Sequence, residues 1–213
     1  MTEDEFQSSI SDELDRRREA VTRVKRVVAH VKGTTLEQTA ALMAIPMFYA
    51  HWEGYVKQTV GMYVEFVESK AMMPHQANSG IFAFSIKKRI KGLIDNQSAA
   101  KMAEFAEWLI GVISTPVMFD DKSVDTKGNL SFNNLAALCD TLCIDVQALE
   151  NDKKKIDALV HKRNNIAHTG RDPKYDEKDV DENAVMLLNI LEQFEQVLKQ
   201  CVTSGCFKAV VAA

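Results

Sequence analysis

The chain has 213 residues, a formal net charge of −4, 46% hydrophobic and 26% charged residues, which excludes a disordered or fibrous protein. Its 4 prolines and 9 glycines are too few for an all-β chain, which needs a turn signal every ~8–12 residues. The length suits one domain over residues 1–213, and the global charge does not announce a nucleic-acid binder.

The opening MTEDEFQSSI is acidic and polar and does not read as a signal peptide. A cytoplasmic chain is therefore expected, with Cys139, Cys143, Cys201 and Cys206 reduced. No CxxC pair is present, so zinc-ribbon and thioredoxin-like readings fall away. The first helical pattern is Ile10, Leu14, Arg17, Val21, Val24, Val28, Val31. Its alternating steps of four and three mark one helix face, with Arg17 its only polar member. Gly33 ends the segment, and Thr34 or Thr35 is the expected cap of the next helix.

A long helix is predicted from about Leu36 to Met72, with Pro46 as its kink. It contains the apolar stretch Ala40–Ala50, 11 residues long. A membrane span needs ~20, so this segment is predicted to be buried and no membrane is expected as a partner. The same helix carries HWEGYVK, His51–Lys57. After a break around Met73–Ser79, helices are predicted over about Ile81–Asp95 and Ala99–Ser114. Asp120–Gly128 reads as an exposed loop. Ser131 opens a short helix to about Leu142, and a longer one spans Gln147–His168, with Gly170 as its left-handed stop. Arg171–Lys178 reads as a charged loop. The last helix repeats the 4-3 spacing at Val180, Ala184, Leu187, Leu191, Phe194, Leu198 and Cys201, so it is expected to pack on the first. The apolar tail Phe207–Ala213 is read as strand, docked coil or interface.

The densest polar cluster in an apolar helix is HKRNNIAHTG, His161–Gly170. Arg163 and His168 lie five apart, about 140° around a helix that turns ~100° per residue. A site using both must bend at the helix end or combine two copies of the helix. RNNIAHTG resembles the Rx4–6H motif of HEPN-domain ribonucleases. WEGYVK resembles the HEPN subgroup that includes RiboL-PSP and MAE-type nucleases. A second match, Arg23 to His30, is set aside because Val24 rather than a polar residue follows the arginine.

The resemblance implies an all-α, HEPN-like helical bundle of about six to seven helices. It implies a metal-independent endoribonuclease acting through 2′-OH attack, leaving a 2′,3′-cyclic phosphate. Arg163 would fork onto the phosphate, since a planar guanidinium bridges two oxygens. His168 would move a proton near neutral pH. Asn164 would bond the phosphate or orient His168. The substrate would be RNA, because DNA lacks the attacking hydroxyl. In the family two protomers build the site, so a homodimer is implied, acting in bacterial defence or a toxin–antitoxin system with an antitoxin or regulatory protein as a further partner. The alternative is a HEPN-like interaction module that does not cleave.

Glu53 and His161 are supporting candidates. Glu53 either orients Arg163 or His168 or forms a structural salt bridge, while His51, Trp52 and Tyr55 read as packing residues. Two basic clusters are candidate RNA contacts: Arg16, Arg17, Arg23 and Arg26 on the first helix, and Lys87, Lys88 and Arg89 further on. No metal or cofactor is expected, since His161 and His168 stand roughly 10 Å apart along one helix.

Overall fold

The computed structural model describes residues 1–95, 98–119, 122, 124–168 and 174–209. Thr2 opens the first helix, α1 (Glu3–His30), with a reciprocal cap: the Glu5 amide donates to Thr2 Oγ1 at 3.1 Å and the Thr2 amide to Glu5 Oε2 at 2.6 Å. Such a box satisfies two helix-end donors that would otherwise lack partners. The 4-3 stripe is the buried face, from Phe6 and Ile10 to Val28. Gly33 turns the chain with φ +74°. The second helix, α2 (Glu37–Glu68), starts at Leu36 rather than at a threonine cap. Thr34 Oγ1 accepts from the Leu36 amide at 3.2 Å, and Glu37 reaches back to the Gly33 amide at 2.7 Å. The helix continues through Pro46 and buries Phe48, Tyr49, Trp52, Tyr55, Tyr63 and Phe66.

A 3-10 turn (Pro74–Gln76) leads into α3 (Ser79–Ser85), α4 (Lys87–Asp95) and α5 (Ala99–Val112). The segment expected as one helix over 81–95 breaks at Ile86, whose φ −102° and ψ 6° leave the helical basin. That break gives eight α-helices among the described residues. Ser131 caps α6 (Phe132–Thr141), its hydroxyl accepting from the Asn134 amide at 3.4 Å. The stretch read as one helix from Gln147 begins instead as a 3-10 turn, Gln147–Asp152, before α7 (Lys153–His168). The last helix, α8 (Glu177–Ser204), is capped by Asp176 and stopped by Gly205 at φ +69°. The expected stop at Gly170 lies outside the described residues.

Helices α1, α2 and α8 pack on one another, and α7 lies on α2. The buried side chains form one cluster; each large apolar side chain fully removed from water contributes roughly 1.5–3 kcal/mol. The two long 4-3 stripes do face each other, and their rims are zipped by polar groups. Ser11 Oγ donates to Glu195 Oε1 at 2.6 Å, Arg18 pairs with Glu192 at 2.9 Å and Lys25 with Asp181 at 3.1 Å.

Phe207 is buried on Phe66, and the tail docks as an isolated antiparallel bridge between Ala77 and Lys208. No other β-pairing occurs among the described residues. The expectation of four reduced cysteines is corrected. Cys201 and Cys206 form a disulfide with Cα atoms 5.4 Å apart. The left-handed turn at Gly205 brings Cys206 back onto the last turn of α8, where its amide donates to the Cys201 carbonyl at 3.2 Å. Cys139 and Cys143 are free thiols. Among the described residues no helix is long and apolar enough to cross a membrane.

Candidate active site at the end of α7

Helix α7 buries Ile156, Leu159 and Val160. This fixes the rotation of its last two turns, where Arg163 falls on the side facing α2 and the loop before α6. The Arg163 guanidinium carbon stands 4.2 Å from the centroid of the Tyr49 ring. Its Nη2 donates to the Gly128 carbonyl at 2.8 Å and its Nη1 to Asn164 Oδ1 at 2.7 Å. A guanidinium carries five N–H donors. Two of them are used in these bonds, and the Tyr49 side chain adds a further contact. Arg163 is half-buried and His168, at the last residue of the helix, is exposed.

Asn164 Oδ1 is used as the acceptor for Arg163 Nη1. His161 is exposed and its Nε2 lies 3.0 Å from Asn165 Nδ2. Lys162 Nζ donates to Asn183 Oδ1 at 2.9 Å, tying α7 to α8. Glu53 takes the ion-pair option: Lys57 lies 3.2 Å from its Oε1, and the Thr126 hydroxyl donates to the same oxygen. Burial pushes its carboxyl upward, but the Thr126 and Lys57 hydrogen bonds and the Lys57 and Arg163 charges outweigh burial and hold it below the usual range. Glu53 is thus an anion in the electrostatic reach of Arg163.

The loop read as exposed over 120–128 is not uniformly so, and Asp120, Asp121 and Ser123 lie outside the described residues. Thr126 is buried, and the next residues pin the site. The Leu130 amide donates to Tyr49 Oη at 2.8 Å, and Trp52 Nε1 donates to the Leu130 carbonyl at 3.0 Å. Tyr49, Gly128 and Thr126 were not singled out from sequence. Tyr49 carried a usable signal, since it lies one helical turn before Glu53 on the same face. The loop residues carried none.

The basic candidates on α1 are mostly engaged within the bundle. Arg17, one of the expected RNA contacts and the polar member of the apolar stripe, is turned into the bundle. Its side chain is 11% exposed, its Nε donates to Glu13 at 2.6 Å, and its guanidinium fills the space over Gly54. A Cβ at Gly54 would stand 2.9 Å from Arg17 Nη1. Arg16 binds the same Glu13, and Arg23 lies 3.5 Å from Glu19. Arg16, Arg23 and Arg26 are exposed, as are Lys88 and Arg89, while Lys87 lies half-buried over the Phe84 ring. His51 and Trp52 pack as expected, His51 against Arg17 and Trp52 in the core. Among the described residues no group of three or more His, Cys, Asp or Glu side chains is placed to hold a metal ion.

A family model described as MAE_28990-like HEPN matches residues 6–205. The chain belongs to this HEPN family. No curated protein and no solved structure matches it. The HEPN match runs from α1 through α8, so the loop that pins Arg163 and the helices α3–α5 all lie inside the matched span.

Proposed function

We propose that this HEPN chain is a metal-independent endoribonuclease whose site is built by two copies of α7 in a homodimer. The carrying observation is the state of Arg163. It is held by Gly128, Asn164 and the Tyr49 ring while staying only half-buried, and an exposed imidazole follows five residues on. On a regular helix those two side chains point about 140° apart. Arg163 of one copy and His168 of the other meet across a two-fold axis more readily than within one chain.

In the reaction the ribose 2′-OH attacks the adjacent phosphorus and the 5′-oxygen leaves. The products are a 2′,3′-cyclic phosphate and a 5′-hydroxyl. One proton leaves the 2′-OH and one arrives at the departing oxygen, and His168 is the group suited to either transfer. Arg163 stabilises the negative charge that grows on the phosphate, a fixed donor pair needing no reorganisation. The family resemblance supports a role as the effector of a bacterial defence or toxin–antitoxin system, under an antitoxin or regulatory partner.

The bond from Arg163 to the Gly128 carbonyl also favours a second reading. The arginine would then be a structural pin, and the chain an interaction module that does not cleave. Incubation with single-stranded RNA in EDTA separates the two. The nuclease reading expects cyclic-phosphate ends, lost in both Arg163→Ala and His168→Ala. Mixing the two inactive variants restores one composite site per heterodimer. A folded protein that leaves RNA and tRNA intact would establish the module instead.

A further inference from the structure

Helices α4 and α5 stand apart from the bundle. Neither contributes a buried residue; α4 packs on α5 and on α3. Yet α5 holds Phe105 and Trp108, two large rings half-buried with no core to join. A ring pair of that size normally sits in a core or an interface. Between the two helices lies a cleft of about 670 Å³ lined by Lys88, Arg89, Leu93, Lys101, Phe105 and Trp108. The ring centroids are 5.6 Å apart and tilted by 43°, and the Arg89 guanidinium lies 5.4 Å above Trp108. Glu104 also lines the cleft, where it pairs with Lys101 at 2.5 Å. Helix α4 reads KKRIKGLID, four cations against one acid, in a chain whose net charge is −4.

We propose that the α4–α5 hairpin is a grip for single-stranded RNA. A nucleobase stacks on Trp108 and Phe105, and the neighbouring phosphates lie on Lys88 and Arg89. Flat rings inside a basic cleft match the two faces of an unpaired nucleotide: an aromatic base and an anionic linkage. A plain phosphate site needs no rings, and a purely apolar partner would not favour the cationic side of α4. The inference rests on the ribonuclease reading for its choice of nucleic acid and adds a binding surface to that site.

The test uses the full chain carrying His168→Ala, a fluorescein-labelled 12-nucleotide RNA and intrinsic tryptophan emission. The chain has two tryptophans, and Trp52 is 1% exposed in the core. Quenching by RNA therefore reports Trp108, and Trp108→Phe removes it. Trp108→Ala is expected to weaken binding about fivefold or more without altering the salt dependence. Lys88→Ala with Arg89→Ala is expected to weaken binding and to lower the log–log salt slope by about 1.4, at ~0.7 per phosphate on a single strand. None of these side chains is buried, and thermal unfolding confirms that the variants fold. Binding within twofold of the parent in both variants, with no quenching, overturns the proposal. So does a response to anionic lipid vesicles with none to RNA. If RNA quenches Trp108 but the unmutated chain cuts nothing, the grip stands and the nuclease reading falls. If the hairpin variants, built on the unmutated chain, cut RNA with unchanged kcat/KM, the grip falls and the nuclease reading stands.

Discussion

Tyr49→Phe isolates one atom that ties the loop before α6 to the candidate site. Tyr49 is 3% exposed and its hydroxyl accepts the amide of Leu130, which is fully buried. Removing the oxygen leaves that N–H without its partner. A buried donor deprived of its acceptor costs about 1–3 kcal/mol. For a chain of this size each kcal/mol moves Tm by about 2–4 °C, so a fall of roughly 2–12 °C is expected in calorimetry. The ring that carries Arg163 survives in this variant, so the arginine keeps its stacking. Its anchor on the Gly128 carbonyl, two residues before Leu130, is loosened. Hydrogen exchange at the Leu130 amide should therefore accelerate about 5- to 150-fold, since about 1.4 kcal/mol is a factor of ten. Under the proposed ribonuclease function, RNA cleavage should fall further than the loss of folded protein accounts for. Tyr49→Leu additionally removes the cation–π contact, worth about 0.5–2 kcal/mol. If Tyr49→Phe melts within about 1 °C of the parent and Leu130 exchanges as before, the proposed coupling between loop and site is refuted.

Glu13→Ala leaves Arg17 without its carboxylate in a nearly closed setting. The expected loss is about 2–4 kcal/mol in urea unfolding, less than for a fully enclosed pair because Arg16 reaches water; an unchanged midpoint would contradict the interior role of Arg17. Burial, and then the positive charges of Arg17, Arg16 and Arg23, lower the His51 pKa from its ordinary 6.5. The unfolded chain thus takes up this proton first on acidification, so the His51 contribution is complete above about pH 6.5 and declines as pH falls toward the lowered value. His51→Asn should flatten the stability profile below about pH 6.5, and an identical profile in both proteins would remove His51 as its source. Glu13 and Glu53, both held below their ordinary 4.5 by hydrogen bonds and cations that outweigh burial, add stability that is lost only as pH drops below that range. Gly61→Ala meets nothing within 4 Å inside α2 and should stabilise by about 0.5–1 kcal/mol. Gly80→Ala places a Cβ 2.7 Å from the Thr141 carbonyl oxygen and should destabilise by about 1–3 kcal/mol; thermal melts that rank the two the other way would refute this packing argument.

Helical periodicity is a local property, and it located both long outer helices, the short helix behind Ser131 and the motif helix. The 4-3 stripes of α1 and α8 also predicted their pairing, because a continuous apolar face must be covered by another. The same stripe placed Arg17 indoors, while the basic composition of α1 pointed outward. Burial beside Glu13 decides between them for Arg17, since one inward carboxylate can hold a cation there. The motif Arg163–His168 was legible because its residues are neighbours in the chain. Its supports were not. Tyr49, Gly128 and Leu130 are separated from Arg163 by 114, 35 and 33 residues respectively, and Gly128 engages it through a backbone carbonyl, which any residue possesses. The Cys201–Cys206 bond likewise depends on the left-handed turn that folds the chain back at Gly205. Side-chain identity and spacing fixed which residues could do chemistry. Only the three-dimensional packing determined which of them are already bound to their own protein and which still face water.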